Sequence, residues 1–308
     1  MDFYLRISTT TFAVVAAIAA GCGPSSFERI ESGDSRDLRG LAIDDAGEGW
    51  LVGRQGALHT IRGDTVTPDT FFIQQTERTP DFFAGVWHRD APWAAGDSGL
   101  VVRGGLDGPQ TENSGSNQRL LALVEVTPTQ LIACGEQAAV RLRRDDWQGI
   151  NAAAPASARI TGGWSGGDHI VLTTDQGVIL ERAGGNWSAQ TITTDSATIA
   201  VPLFDVWSST VGADLFVVGL GGTIFRRTSV DAQWTQMPSP GIEDLYALDG
   251  RGADEIYAVG AAGTILQFDG GGWSRLPSGT GRDLFDIRVT PSKVIAVGDG
   301  GAIVRRND

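Results

Sequence analysis

The stretch DLYALDGRGADEIYAVGAAGTILQFDGGGWSRLPSGTG, Asp244 to Gly281, reads as four short β-strands. Apolar residues alternate in each strand, and Gly, Asp and Pro fall where the chain must turn. The same unit recurs, imperfectly, in six further places.

The second strand and its turn set the register. They read WLVGRQGAL from Trp50, WAAGDSGLV from Trp93, IACGEQAAV from Ile132, VLTTDQGVI from Val171, FVVGLGGTI from Phe216, YAVGAAGTI from Tyr257 and IAVGDGGAI from Ile295. The markers Gly53, Gly96, Gly135, Thr174, Gly219, Gly260 and Gly298 recur at about forty residues, the length of one propeller blade. Two residues separate each marker from the next Gly, as in Asp299-Gly300, which predicts a two-residue hairpin needing positive φ. Ahead of it stands an apolar first strand, beginning at Leu38, Phe82, Leu120, Ile160, Leu203, Leu245 and Leu284. Near-continuous apolar character predicts strands covered on both faces. A fourth strand opens with Trp147, Trp187, Trp234 or Trp273. All nine tryptophans fall in three recurring slots, as packing between blades predicts.

The seventh copy ends after three strands. Ser26 to Leu38 aligns with Gly272 to Leu284, with Phe27 in the place of Trp273. The sequence therefore predicts an all-β, seven-bladed β-propeller over residues 26–308, closed by an N-terminal outer strand in the last blade. Closure limits free strand edges, which otherwise invite aggregation. Copies two to four diverge most, with Thr174 and Ala138 replacing glycines and Glu112–Asn117 lengthening a connection.

Residues 1–21 have a charged start, an apolar run and small residues, and read as an export signal. Ala19-Ala20-Gly21-Cys22 resembles the lipobox of bacterial lipoproteins, which implies cleavage before Cys22, lipidation there and a short tether over 22–25. Each buried acyl CH₂ contributes about 0.8 kcal/mol, so several chains hold a water-soluble body at a membrane. Plain secretion is the alternative. The only other cysteine, Cys134, sits where other copies carry valine and reads as a small buried hydrophobe. A net charge of −13 argues against a nucleic-acid partner.

The L-x-x-(V/L)-W…(F/Y)-(A/V)-V-G…G-T-I-x-x-x-D-G-x-W pattern resembles the BNR-like and WD/YVTN-like propeller repeats of bacterial exported proteins. It is more distantly similar to photosystem II stability-factor propellers. The resemblance implies the fold over residues 26–308 and no single function, because propellers carry many unrelated activities. Sialidases share the fold, and resemblance to them would imply an Asp-box, three arginines and a tyrosine nucleophile. Ser229 to Trp234 lacks the Asp-box glycine and spacing, and Tyr246 and Tyr257 occupy strand slots.

His59, His88 and His169 fall in separate copies and read as surface or turn residues, with no metal or other cofactor expected. Acidic residues precede the first strand in several copies: Asp37, Asp81, Asp244 and Asp283. Arg36, Glu243 and Arg282 flank three of them, and Arg119 takes the place in copy three. These eight are a candidate docking face for a basic protein segment. The competing reading, that each Asp accepts backbone N–H bonds and shapes its own turn, is favoured because a repeat-wide residue usually serves the repeat. The expected protein is an exported, lipid-anchored, monomeric, non-catalytic scaffold with an envelope-protein partner. The alternative is a glycan-binding or glycan-active propeller, with Trp87 and Trp207 the aromatics best placed to reach a face.

Overall fold

The computed structural model describes residues 26–73, 78–193, 198–209, 214–229 and 231–307. They form seven antiparallel sheets, six of four strands and one of five. In the sixth blade the strands are Leu245–Gly252, Glu255–Gly260, Ile265–Phe268 and Trp273–Leu276, in sequence order from the channel outward. The fourth blade adds a fifth strand, Thr198–Ile199. Among the described residues no helix is long and apolar enough to cross a membrane.

The seventh blade is built from both chain ends. Its strands Leu284–Val289, Lys293–Gly298 and Ile303–Asn307 are completed by Glu28–Arg29. Glu28 stands opposite Arg305 and Arg29 opposite Val304, and the Ile30 N–H donates to the Ile303 carbonyl at 2.9 Å. The aligned segments predicted this closure.

The core is divided among the seams. Each of seven apolar clusters draws on two adjacent blades, so burial glues blade to blade. The outer-strand aromatics join these clusters as expected: Trp147, Trp187, Trp234 and Trp273 each pack at a seam, and Phe27 does so between blades six and seven.

Two local expectations are corrected. The turn after the second strand is a three-residue 3₁₀ turn in six blades, as in Ala261–Gly263, with its middle residue left-handed. Most of those middle residues are not glycine: Gln55, Ser98, Gln137 and Ala262 all have φ near +53°. The marker glycine itself is extended, with φ −171° at Gly260. It is needed because a Cβ there would run into the carbonyl oxygen of Asp244, just ahead of the first strand. Blade four carries Thr174 at this position, and its hydroxyl bonds both the N–H and the carbonyl of Val178.

The histidines are not surface residues. His59, His88 and His169 are all buried. The His59 Nδ1 accepts the Asp69 N–H at 3.3 Å, and Nε2 lies 3.4 Å from Asp34. Burial pushes that imidazole down to about 4, against the opposing pull of Asp34. Histidine spacing gave no sign of this, since the ring is interior only through pairing across a seam.

Candidate functional site

The seven first strands surround a central channel, a cavity of about 570 Å³. In every blade the register slips between the first and third residues of that strand. The second residue is therefore the extra one of a β-bulge, a device that re-aims a side chain. These bulged residues are Arg39, Phe83, Leu121, Thr161, Phe204, Tyr246 and Phe285, all half-buried and all lining the channel. They make a collar at the mouth where the 3₁₀ turns lie. Phe204 and Tyr246 have ring centroids 5.7 Å apart, Tyr246 and Phe285 5.6 Å, and the Arg39 guanidinium stacks 3.6 Å over Phe285. Trp87, Trp164 and Trp207 line the channel further along the same strands.

Three aspartates lie below the collar in blades five to seven. Asp205 Oδ2 accepts the Leu248 N–H at 3.1 Å, Asp249 Oδ2 that of Val289 at 2.7 Å, and Asp286 Oδ2 that of Leu41 at 2.7 Å. The other oxygen of each accepts the N–H of the following residue, at 2.9 Å in all three cases. An inner strand otherwise presents unpaired N–H groups to the channel, so each carboxyl staples one blade to the next. Burial lifts Asp286 to about 7, lifts Asp205 well above the carboxylate range and raises Asp249, with the backbone bonds opposing.

A raised carboxyl binds its proton more tightly in the folded than in the unfolded chain. Its stabilising contribution is complete below the unfolded value near 4 and is lost as pH rises through about 7. Stability is thus expected to fall between about pH 4 and pH 7, by at most about 1.4 kcal/mol per pH unit for this one group. Thermal melts of Asp286→Asn across that range should show a shallower slope than the parent.

The eight docking-face candidates sit at the seams on the collar side, each engaged within the protein. Asp37, Asp81, Asp244 and Asp283 accept the N–H of Gly300, Gln55, Gly221 and Ala262, the middle residue of the preceding blade's turn. Each Asp therefore shapes its neighbour's turn and not its own, and the repeat-wide acid is an inter-blade latch. Arg36 donates to Asp34, the Thr70 hydroxyl and the carbonyls of Gln55 and Asp69. Glu243 pairs with Arg275 at 2.8 Å, Arg282 donates to the Gly300 carbonyl, and Arg119 pairs with Asp97 at 3.1 Å. What stands outward is guanidinium: the Arg54 and Arg119 side chains are 50% and 55% exposed, their partners Asp37 and Asp97 22% and 21%.

Cys22 lies outside the described residues. Cys134 is buried, and burial pushes its thiol up to about 12, an unreactive state. Among the described residues no group of three His, Cys, Asp or Glu side chains is placed to hold a metal ion. Sequence reading missed the channel carboxyls, although an acid inside an apolar strand, as in Leu203-Phe204-Asp205-Val206, is a visible signal. It also missed Glu181, whose carboxylate meets His169 Nε2 at 2.6 Å, Arg227 at 2.6 and 3.0 Å and Gln190 at 2.5 Å, all buried or half-buried.

No family model matches this chain, and no curated protein matches it. Among solved structures it is similar to YCF48 bound to a D1 peptide, with TM-score 0.74 and 17% identity over 93% of this chain and 98% of that one. YCF48 from Cyanidioschyzon merolae gives TM-score 0.70 and 14% identity, covering 92% of this chain and 99% of that one. Virginiamycin B lyase from Staphylococcus aureus gives TM-score 0.74 and 13% identity, covering 92% and 100%. Likeness at such identities carries the fold and no more, and together with the seven sheets it yields one conclusion: the chain is a seven-bladed β-propeller.

Proposed function

We propose that this propeller is an exported, lipid-anchored, non-catalytic scaffold that captures a segment of a partner protein at the collar mouth. The collar is the observation that carries this reading. It sets four aromatic rings and one guanidinium, half-exposed, on a framework fixed by bulges and inter-blade latches. Rigid aromatics that are already ordered before binding bury large area at low entropic cost. A similar fold is known with a peptide bound. The polar groups nearest the collar are committed to backbone N–H groups, which suits a binding surface better than a reacting centre. The latch residues Asp37, Asp81, Asp244 and Asp283, with Arg36, Arg119, Glu243 and Arg282, form the rim around it.

Anchoring rests on Cys22 and the lipobox-like residues before it. The first described residues leave from the outermost strand of blade seven, so a tether there attaches at the rim and leaves both channel mouths open. Affinity purification from detergent-solubilised membranes should recover a protein partner with the parent chain, and lose it with the double variant Tyr246→Ala, Phe285→Ala at an unchanged melting temperature. Cys22→Ser should move the protein to the soluble fraction. Retention of the partner by the double variant removes the collar reading, and membrane retention of Cys22→Ser removes the anchor.

The glycan-binding reading keeps one observation in its favour, the line of Trp87, Trp164 and Trp207 along the channel. Saturable binding on a glycan array, abolished by Trp207→Ala, would establish it in place of peptide capture.

A further inference from the structure

We propose that the channel below the collar in blades five to seven receives a primary ammonium group, the tip of a lysine side chain in the captured segment. This rests on the peptide-capture reading and names the chemistry the site selects.

Charge complementarity is the first support. The acidic and basic side chains lining the channel, besides the Tyr246 phenol, are four carboxyls, Glu125, Asp205, Asp249 and Asp286, and two guanidiniums, Arg39 and Arg288. Both guanidiniums are already paired, Arg39 with Asp37 at 2.9 Å and Arg288 with Asp249 at 3.6 Å. Asp205 and Asp286 have no cationic side chain within ion-pair distance among the described residues, and each is partly accessible from the channel.

The collar supplies the second. Arg39 over Phe285 is a cation already held on this ring of aromatics. Phe204 and Tyr246 stand next to it, and among the described residues no guanidinium stacks on either. Toward the Trp end of the channel Asp205 follows Phe204 in blade five, and on the other side of Tyr246 Asp286 follows Phe285 in blade seven. A chain threading between the rings meets aromatic faces first and carboxyls second, which suits an alkyl stem with a charged tip. The carboxyl oxygens keep their backbone bonds and accept the ammonium through their remaining lone pairs.

Physical linkage gives the inference its own signature. Burial, with the neighbouring Asp249 carboxyl adding to it, lifts Asp286 to about 7, so this group must ionise when a cation arrives, releasing a proton to solvent. A merely structural staple releases none.

The test is calorimetric titration of the full-length chain in detergent with Nα-acetyl-lysine amide at pH 6.5, in two buffers of different ionisation enthalpy. Nα-acetyl-norleucine amide, the same blocked stem without the charged tip, is the control. The expected result is saturable millimolar binding, about tenfold or more weaker for the control, with net proton release. Tyr246→Leu should weaken lysine-amide binding about tenfold without lowering the melting temperature, which avoids altering the staples. Equal affinity for both probes, absence of saturation, or no proton release overturns the inference. Partner capture that proceeds while lysine amide neither binds nor competes overturns it alone, leaving peptide capture standing. Lysine-amide binding by a chain that captures no partner upholds the channel and overturns the capture reading.

Discussion

Phe27→Ala is expected to destabilise the protein by about 3 to 5 kcal/mol, the range for emptying a buried aromatic site. Phe27 is 4% exposed and packs with Ile265, Leu284, Ile287 and Val304, closing the seam between blades six and seven. The strand it leads makes only a two-residue ladder, Glu28 with Arg305 and Arg29 with Val304. Backbone pairing that short cannot hold a strand, so the side chains beside it must. Arg305 reinforces the join through Asp64 of the first blade and Glu28. Deleting residues 26–31 should go further and loosen the ring, with the loss spreading to the seam between blades seven and one. Thermal melts with a probe for exposed apolar surface check both variants. An unchanged melting temperature in the deletion would mean that the first blade and the last hold together without the chain's beginning.

Glu181→Ala is expected to cost a similar amount, about 3 to 5 kcal/mol, by a different route. Glu181 in blade four is the acceptor for Arg227 in blade five, a guanidinium 2% exposed that also stacks 4.9 Å from the Trp234 ring centroid. Removing the carboxylate leaves a buried cation with no counter-charge, whereas replacing both partners leaves no unpaired charge and forfeits only the His169 and Gln190 contacts to the carboxylate. Glu181→Leu combined with Arg227→Met should therefore be much closer to the parent than Glu181→Ala alone. Burial raises the Glu181 carboxyl, but hydrogen bonds from Arg227 and His169 outweigh it and hold the group below its ordinary value. The sign is opposite to that of Asp286: this stability is present above about pH 4.5 and is lost as pH falls through the lowered value. Acid should open the seam between blades four and five, and a rise of pH toward 7 should weaken the staples between blades five and one. Denaturant midpoints measured from pH 3 to pH 9 should pass through a maximum, and the acid limb should flatten in the Leu/Met double variant.

These seams differ in how they are fastened. Blades five, six, seven and one are joined by both a channel carboxyl and a rim latch at every seam. Between blades four and five no Asp precedes the first strand, since Pro202 stands before Leu203, and the Glu181–Arg227 pair, with a hydrogen bond from the Thr161 hydroxyl to the Leu203 carbonyl, makes polar contact across. The second copy keeps the rim latch through Asp81 and Gln55, so the change from the repeated latch to an individual solution is seen at the seam between blades four and five.

The sequence by itself determined the blade count, the order of strands and the meeting of the chain ends. Each depends on local periodicity or on the match of one segment with another, and both survive as patterns in a linear chain: the marker glycines recur because a carbonyl passes close at every copy, and Phe27 sits in a tryptophan's slot because it fills the same seam. Only the tertiary structure decided that the second residue of every first strand bulges into a collar, that the histidines are interior, and that Asp37, Asp81, Asp244 and Asp283 fasten the preceding blade. The bulges depend on pairing register within a sheet, and the latches on which atoms of neighbouring sheets face each other across a seam. Pairs such as Asp205 with Leu248 or Glu181 with Arg227 lie some forty residues apart, and no periodicity within a single strand records the distance between them.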